Sequence, residues 1–253
     1  MKFTLLVAGC LVAGSSALCG GIAAAAPSSI DAAVSDSGRP ATDSSRDAGR
    51  HPVALLTFAG IHPGMTVVDM LPGNGYFTRI FAKAVGPKGR VYAYFGTQYD
   101  ANLKKKGQDP DMQFRDLKAV YPNLDVVHGP LETLVTPESV DMIWTSDNYH
   151  DMHTKAYAMD ANKVNKAIYA SLKHGGYYIV VDHRAVKGAG AGVPEALHRM
   201  DEDIAKQEIE AAGFKLVAES NAGANPSDDV SKRVFEAGEH DHTDEFALKF
   251  RKP

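Results

Sequence analysis

The residues able to do chemistry gather in three short runs. Asp147-Asn148-Tyr149-His150-Asp151-Met152-His153 brings two imidazoles and two carboxylates together. Asp182-His183-Arg184 and His198-Arg199-Met200-Asp201 each add a histidine and a carboxylate. Histidine exchanges protons near neutral pH, and a neighbouring carboxylate can orient the ring. Either His150 or His183 could therefore serve as a general base, with Asp151 or Asp182 as its orienting partner. The same groups could instead satisfy loop backbone. They could also hold a divalent ion through nitrogen and oxygen, using His150, His153 and His183 with Asp147 or Asp182. A further run, Glu239-His240-Asp241-His242, reads as a solvated loop.

A second kind of chemistry is suggested by Pro72-Gly73-Asn74-Gly75. It separates the β-rich, apolar Thr66–Leu71 from a helical stretch at Tyr76–Val85. Glycines at 73 and 75 let backbone pass close to a ligand, and the free N–H groups of a helix start attract polar or anionic groups. A tight turn with no ligand would read the same way.

The elements that must position these runs follow from periodicity and punctuation. Buried strands are expected at Thr66–Leu71, Arg90–Phe95, Leu124–His128, Ser139–Ser146 and Tyr177–Asp182, with closing strands at Phe214–Glu219 and Glu245–Phe250. Helices are expected after His51-Pro52, over Tyr76–Val85, in parts of Asp100–Tyr121, and over Asp160–Lys173 and Pro194–Ala212. Such alternation predicts an α/β fold: a Rossmann-like, doubly wound, mainly parallel sheet with an antiparallel final strand. In that architecture ligands bind beyond the carboxyl ends of the strands. The Pro72–Tyr76 turn, the run after the fourth strand and the Asp182-His183 pair all lie on that side.

Gly60–Asp69 followed by Gly73-Asn74-Gly75-Tyr76-Phe77-Thr78 resembles the entry and first motif of class I S-adenosylmethionine (SAM)-dependent methyltransferases. Gly89–Ala93, Val140–Trp144, Leu172–Gly176 and Ala211–Phe214 are similar to that family's later landmarks, in order, across nearly all of residues 50–253. More narrowly, the chain resembles a bacterial group of exported predicted methyltransferases. Their shared features appear here as Pro72–Tyr76, Asn148–His150, Asp182-His183 and Thr243–Phe250. The resemblance implies SAM as cofactor, held by Asp69, Pro72, Gly73, Asn74, Gly75, Tyr76, Asp147 and Asn148. It also implies a small-molecule acceptor handled by His150, Asp151 and His183.

Three positions depart from the family pattern. Leu71 stands where the first motif has glycine, and Phe95 where an acid usually meets the ribose hydroxyls. Pro130 stands near the adenine-binding acid, with Glu132 the nearest carboxylate. These losses open an alternative: a non-catalytic ligand-binding protein on the same fold. A metal-dependent enzyme built on His150, His153 and His183 is a further one. A nicotinamide dehydrogenase is disfavoured, because Thr78 holds the position of its third glycine.

Residues 1–26 read as a cleaved signal peptide: Lys2, then an apolar run, then Ala24-Ala25-Ala26. This predicts a periplasmic or secreted protein with no membrane attachment after cleavage. Both cysteines, Cys10 and Cys19, fall within that segment, so thiolate chemistry is not expected from the mature chain. Residues 27–48, rich in Ser, Asp, Ala and Gly, read as a flexible linker, and 49–253 as one methyltransferase-like domain. A net charge of −4 with no basic stripe argues against nucleic acid. Oligomeric state is not encoded legibly.

Overall fold

The computed structural model describes Met1 and residues 29–109, 112–236 and 240–253. Residues 1–26, expected to be a signal peptide, lie outside the described residues apart from Met1.

The chain enters through α1 (Ser29–Val34), α2 (Ala41–Ser44), α3 (Asp47–Arg50) and α4 (Pro52–Ala59). Then β1 (Thr66–Met70), α5 (Tyr76–Val85), β2 (Arg90–Gly96), α6 (Thr97–Lys105), α7 (Met112–Val120) and β3 (Leu124–Gly129) form the first half. The second half comprises β4 (Val140–Ser146), a 3-10 turn (His150–His153), α8 (Ala161–Ser171), β5 (Leu172–His183), α9 (Val193–Leu197) and α10 (Glu202–Ala211). It closes with β6 (Lys215–Ser220), a second 3-10 turn (His240–His242) and β7 (Glu245–Arg251). Among the described residues the strands make one seven-stranded sheet, ordered β3-β2-β1-β4-β5-β7-β6. β7 is antiparallel to both neighbours; the other adjacent pairs are parallel. The expected α/β architecture, including the antiparallel final strand, is therefore the observed one.

Strand order reverses between β1 and β4, which pair directly. Their side chains alternate between two apolar layers. Val67 and Trp144 join Leu55, Leu56, Phe77 and Phe81 on one face, whereas Val68, Met70 and Ile143 join Ile168, Ile209 and Phe214 on the other. Trp144 is wedged at 4.9 Å from Phe77 and 5.4 Å from Phe81, ring centre to ring centre. Burial on both faces explains why these strands are apolar runs rather than alternating patterns.

Two segments differ from the sequence expectation. Composition suggests a flexible linker over 27–48, yet residues 29–50 form α1 to α3, and α1 packs on α5 and α4. The reason is polar. Arg39 pairs with Asp47 at 2.7 Å, Arg46 with Asp241 at 2.6 Å, Arg79 with Asp43 at 2.9 Å and Lys83 with Asp36 at 3.0 Å. Ile30 and Ala33 supply a small apolar anchor. Apolar content alone misses a segment whose charges are matched one by one across the fold.

The second difference is the helix expected over 194–212, which breaks into α9 and α10. His198 turns left-handed (φ 53°), Arg199 is fully buried on Asp228 at 2.7 Å, and Asp201 caps α10 by accepting from the Asp203 N–H. An N-cap aspartate begins a new helix rather than continuing an old one.

Candidate functional site

At the β1–β4 reversal the strand ends splay around a cleft of about 300 Å³. The lining includes Asp69, Pro72, Gly73, Asn74 and Tyr76 from the first turn, and Asp147 and Asn148 from the end of β4. Seven of the eight residues expected at a cofactor thus converge on one space. The eighth, Gly75, starts α5 in a left-handed conformation (φ 77°), where a Cβ would crowd Phe114 and Leu117. Gly73 is the opposite case: a Cβ there would meet nothing within 4 Å, so its bare Cα faces open cleft.

Each wall has an identifiable support. Asp69, nearly fully buried, accepts a 2.5 Å hydrogen bond from the Thr78 hydroxyl on α5. Burial pushes its carboxyl up to about 7, against the opposing pull of Thr78 and Arg50. Thr78 therefore holds the strand to the helix, which accounts for a threonine where a nicotinamide-binding turn would need glycine. Asn148 donates to the carbonyls of Leu71 and Ser146 and so ties the β4 end to the β1 turn. Leu71 (φ 57°) and Asp147 (φ 59°), flanking this tie, are both left-handed. Left-handed backbone at a non-glycine residue costs about 1–2 kcal/mol and tends to mark functional sites. The family's glycine at the Leu71 position fits that backbone without strain.

Arg46 and Arg50 also line the cleft, although sequence reasoning did not single them out. Arg50 reaches from α3 to Asp147 at 2.8 Å, Asp241 at 3.1 Å and Ser146 at 3.1 Å. Arg39, Arg46 and Arg50 crowd the Tyr76 ring at 5.0–5.5 Å, and the Tyr76 hydroxyl donates to Asp47 at 2.6 Å. The i, i+4 spacing of Arg46 and Arg50 was the available signal. It was hidden in a segment with little apolar content.

The cleft is one-sided. Phe95 is fully buried at the end of β2, stacked on His128 at 5.2 Å and edge-on to Phe114 at 5.0 Å. Aromatic rings fill the place where a ribose-binding carboxylate would stand. Pro130 uses its carbonyl to accept from Tyr94 and Thr133, and Glu132 accepts from the Asp160 N–H at 3.2 Å, so Glu132 serves α8 and is not part of the lining.

Next to the cleft the histidine runs resolve into separate pairs. His150 is buried; its Nδ1 lies 2.7 Å from Asp182 Oδ1 and its Nε2 3.6 Å from Asp151 Oδ1. Asp182 is completely buried and also accepts the N–H groups of His150 and His183, at 2.7 and 2.8 Å. Burial lowers the His150 imidazole, but Asp182, Asp151 and Asp147 outweigh it and hold the ring up to about 9. Burial likewise lifts the Asp151 carboxyl to about 6.

His183 sits instead with Thr243, Nδ1 to Oγ1 at 2.6 Å, and within 4.0 Å of Asp147. Pairing of β5 with β7 sets it beside Glu245, whose buried carboxyl hydrogen-bonds Asp147 and keeps its proton well above the usual range. His153 belongs to neither group, because it pairs with Glu208 at 3.1 Å. The trio of His150, His153 and His183, the metal-binding option among the sequence readings, is therefore not assembled. His198, on the α9–α10 break, is the histidine that approaches His150, at 5.4 Å between ring centres.

No family model matches the chain. It is 27% identical over 196 residues to the ubiquinone/menaquinone biosynthesis C-methyltransferase UbiE of Hydrogenovibrio crunogenus, covering 75% of this chain and 70% of that one. Among solved structures, a SAM-dependent methyltransferase from Aquifex aeolicus superposes with a TM-score of 0.58 at 19% identity, covering 83% of this chain and 93% of that one. The 1,6-didemethyltoxoflavin-N1-methyltransferase of Burkholderia thailandensis, solved with bound 1,6-didemethyltoxoflavin and S-adenosylhomocysteine, gives 0.53 at 18%, covering 84% and 78%. The chain is thus similar in sequence to a SAM-dependent methyltransferase and shares the fold of others. The cleft lies where the sequence resemblance places a cofactor, and SAM is the cofactor these relatives imply.

Proposed function

We propose that the protein is a SAM-dependent methyltransferase of a small-molecule acceptor, with the cofactor's amino-acid end in the Gly73–Asp147 cleft. The observation that carries this reading is the convergence of Asp69, Pro72, Gly73, Asn74, Tyr76, Asp147 and Asn148 on one open space at the strand-order reversal. Bound SAM would supply an electrophilic methyl on a sulfonium. The chain's own residues do the rest. Gly73 admits the ligand against backbone, Arg46 and Arg50 offer guanidinium groups to its carboxylate, and Asp147 offers a counter-charge to its ammonium. The ribose end must be bound without the usual carboxylate, against the Tyr99 side of the cleft. The corner of His150 and Asp151, with His183 behind Asp147, is where the acceptor is positioned; His150 is held protonated there, so Asp151, ionised above about 6, is the group that takes the acceptor's proton.

Calorimetric titration of EDTA-treated protein with SAM and S-adenosylhomocysteine tests this. Micromolar binding that disappears in Gly73→Val is expected, since valine at that position would project into the cleft. Absence of binding at millimolar ligand would refute the reading. That outcome would favour a ligand-binding protein on the same fold, the alternative supported by the Phe95 aromatic cluster. Action outside the cytoplasm is part of the proposal and rests on residues 1–26. A periplasmic or secreted form starting at Pro27 is expected by N-terminal sequencing, and full-length protein confined to the cytoplasm would oppose it.

A further inference from the structure

We propose that His150, Asp151 and His198 bind one divalent transition-metal ion beside the cleft. One donor atom from each lies within 4.8 Å of the others. Nδ1 of His150 is engaged by Asp182, which leaves Nε2 as the ring's second donor, directed near Asp151. A carboxylate behind an imidazole is the usual support of a metal-bound histidine: it fixes the tautomer and raises ligand basicity. Asp182 is itself immobilised by the two backbone N–H groups it accepts. The Asp151 carboxylate stands 3.6 Å from His150 Nε2, within reach of an ion placed between them. His198 is held in a left-handed backbone conformation that turns the chain between α9 and α10, and its ring stands edge-on to His150 at 82°. A histidine takes that conformation at a steric cost.

The surrounding charges are compatible with a cation. Asp182 and Asp147 both act on His150, and Glu195 acts on His198. The opposing groups are the His150 imidazole, whose Nε2 proton a metal would displace, and Arg233, whose guanidinium donates to His198 Nε2 at 2.9 Å. Arg233 is exposed, so it can leave for solvent when a metal takes that lone pair. Two imidazoles and one carboxylate, with no thiolate, suit Zn²⁺, Fe²⁺ or Co²⁺ better than the all-oxygen preferences of Ca²⁺ and Mg²⁺. Three protein ligands leave positions open to water or to an acceptor. Asp151 also lies close enough to Tyr99 and Tyr157 to act on both hydroxyls, and Tyr99 lines the cleft. The ion would thus stand next to the site of methyl transfer, though its binding does not depend on that reaction. It differs from the trio expected from spacing, because His153 and His183 have other partners.

The test uses untagged protein, stripped with EDTA and titrated with Co²⁺ while its visible d–d bands are recorded, followed by Zn²⁺ displacement. One equivalent binding at micromolar Co²⁺ is expected, weakened at least tenfold in His198→Ala, and tightened several-fold in Arg233→Ala. Circular dichroism establishes that each variant is folded. If His198→Ala is not, Asp151→Asn must show the same loss. No bands at millimolar Co²⁺, or equal binding by His198→Ala and the parent, would overturn the site. Because SAM binding is measured in EDTA, failure of one proposal leaves the other standing.

Discussion

Replacing Arg50 with methionine should release the amino-terminal helices and weaken the domain in a pH-dependent way. Arg50 is the cation common to Asp147 and Asp241, its guanidinium lies 5.0 Å from the Tyr76 ring and 5.1 Å from that of Phe77, and its side chain is only 9% exposed. Methionine keeps much of the apolar stem and removes the charge. Breaking a buried pair by deleting one partner costs about 3–5 kcal/mol, and a desolvated cation–π contact adds about 1 kcal/mol. Since these terms share one side chain they do not add fully, and a loss of about 4 kcal/mol at pH 7 is expected. Glu245 supplies the sign of the pH effect. Burial, then Asp147, hold its proton in place, and Arg50 is the group that opposes them. Without Arg50 the folded state favours protonated carboxyls still more strongly, so the variant's deficit should be largest near pH 8 and smaller near pH 5. Urea unfolding at both pH values measures this. Limited proteolysis within residues 29–50 should accelerate in parallel. A loss below about 1 kcal/mol at pH 7, or one independent of pH, would show that Arg50 does not hold this network.

Two further substitutions probe other parts of the site. Asp69 has its pKa raised from 3.8 to about 7, so its contribution to stability is fully present below pH 4 and is lost as pH rises through 7; Asp69→Asn should gain up to about 4 kcal/mol relative to the parent between pH 4 and pH 8, read from urea midpoints, and no relative gain would contradict the raised value. Gly49→Ala would drive a Cβ into the Asp241 carbonyl oxygen; it should destabilise by about 1–3 kcal/mol, measured by thermal unfolding, although alanine in a freely exposed helix would stabilise.

The fold was legible because its evidence is local and repeated. Strands buried on both faces read as apolar runs, and the turns at Gly60, Gly73-Gly75, Gly86 and Gly213 punctuate them at intervals that leave room for crossover helices. The cleft at the strand-order reversal was legible for the same reason, since the Pro72–Tyr76 turn and Asp147-Asn148 each end a strand that pairs with its neighbour. What composition obscured was long-range polar pairing. Arg46 and Arg50 meet Asp241 across nearly the whole length of the chain, and no window of sequence contains both ends of those pairs. The metal option that used His153 is lost at the same point. Spacing linked His150 with His153, but the 3-10 turn sends His153 to Glu208 while the α9–α10 break brings His198 in.

The departures from the family pattern gain a physical meaning when taken together. Leu71 and Asp147 both keep left-handed backbone at the cleft, so the turn geometry persists even where the glycine of the resembled pattern is gone. Phe95, by contrast, changes chemistry as well as shape: a buried aromatic stack cannot accept a hydrogen bond from a ribose hydroxyl. An unmade hydrogen bond of that kind costs about 1–3 kcal/mol if the hydroxyl is buried, and much less if water reaches it. The ribose end of this cleft must therefore remain open to solvent if SAM binds with micromolar affinity. Phe95→Asp then distinguishes the two functional readings. It should tighten SAM at the cost of packing against His128 and Phe114 if the cleft is a cofactor site, and leave SAM affinity unchanged if the fold has been retuned to a different ligand.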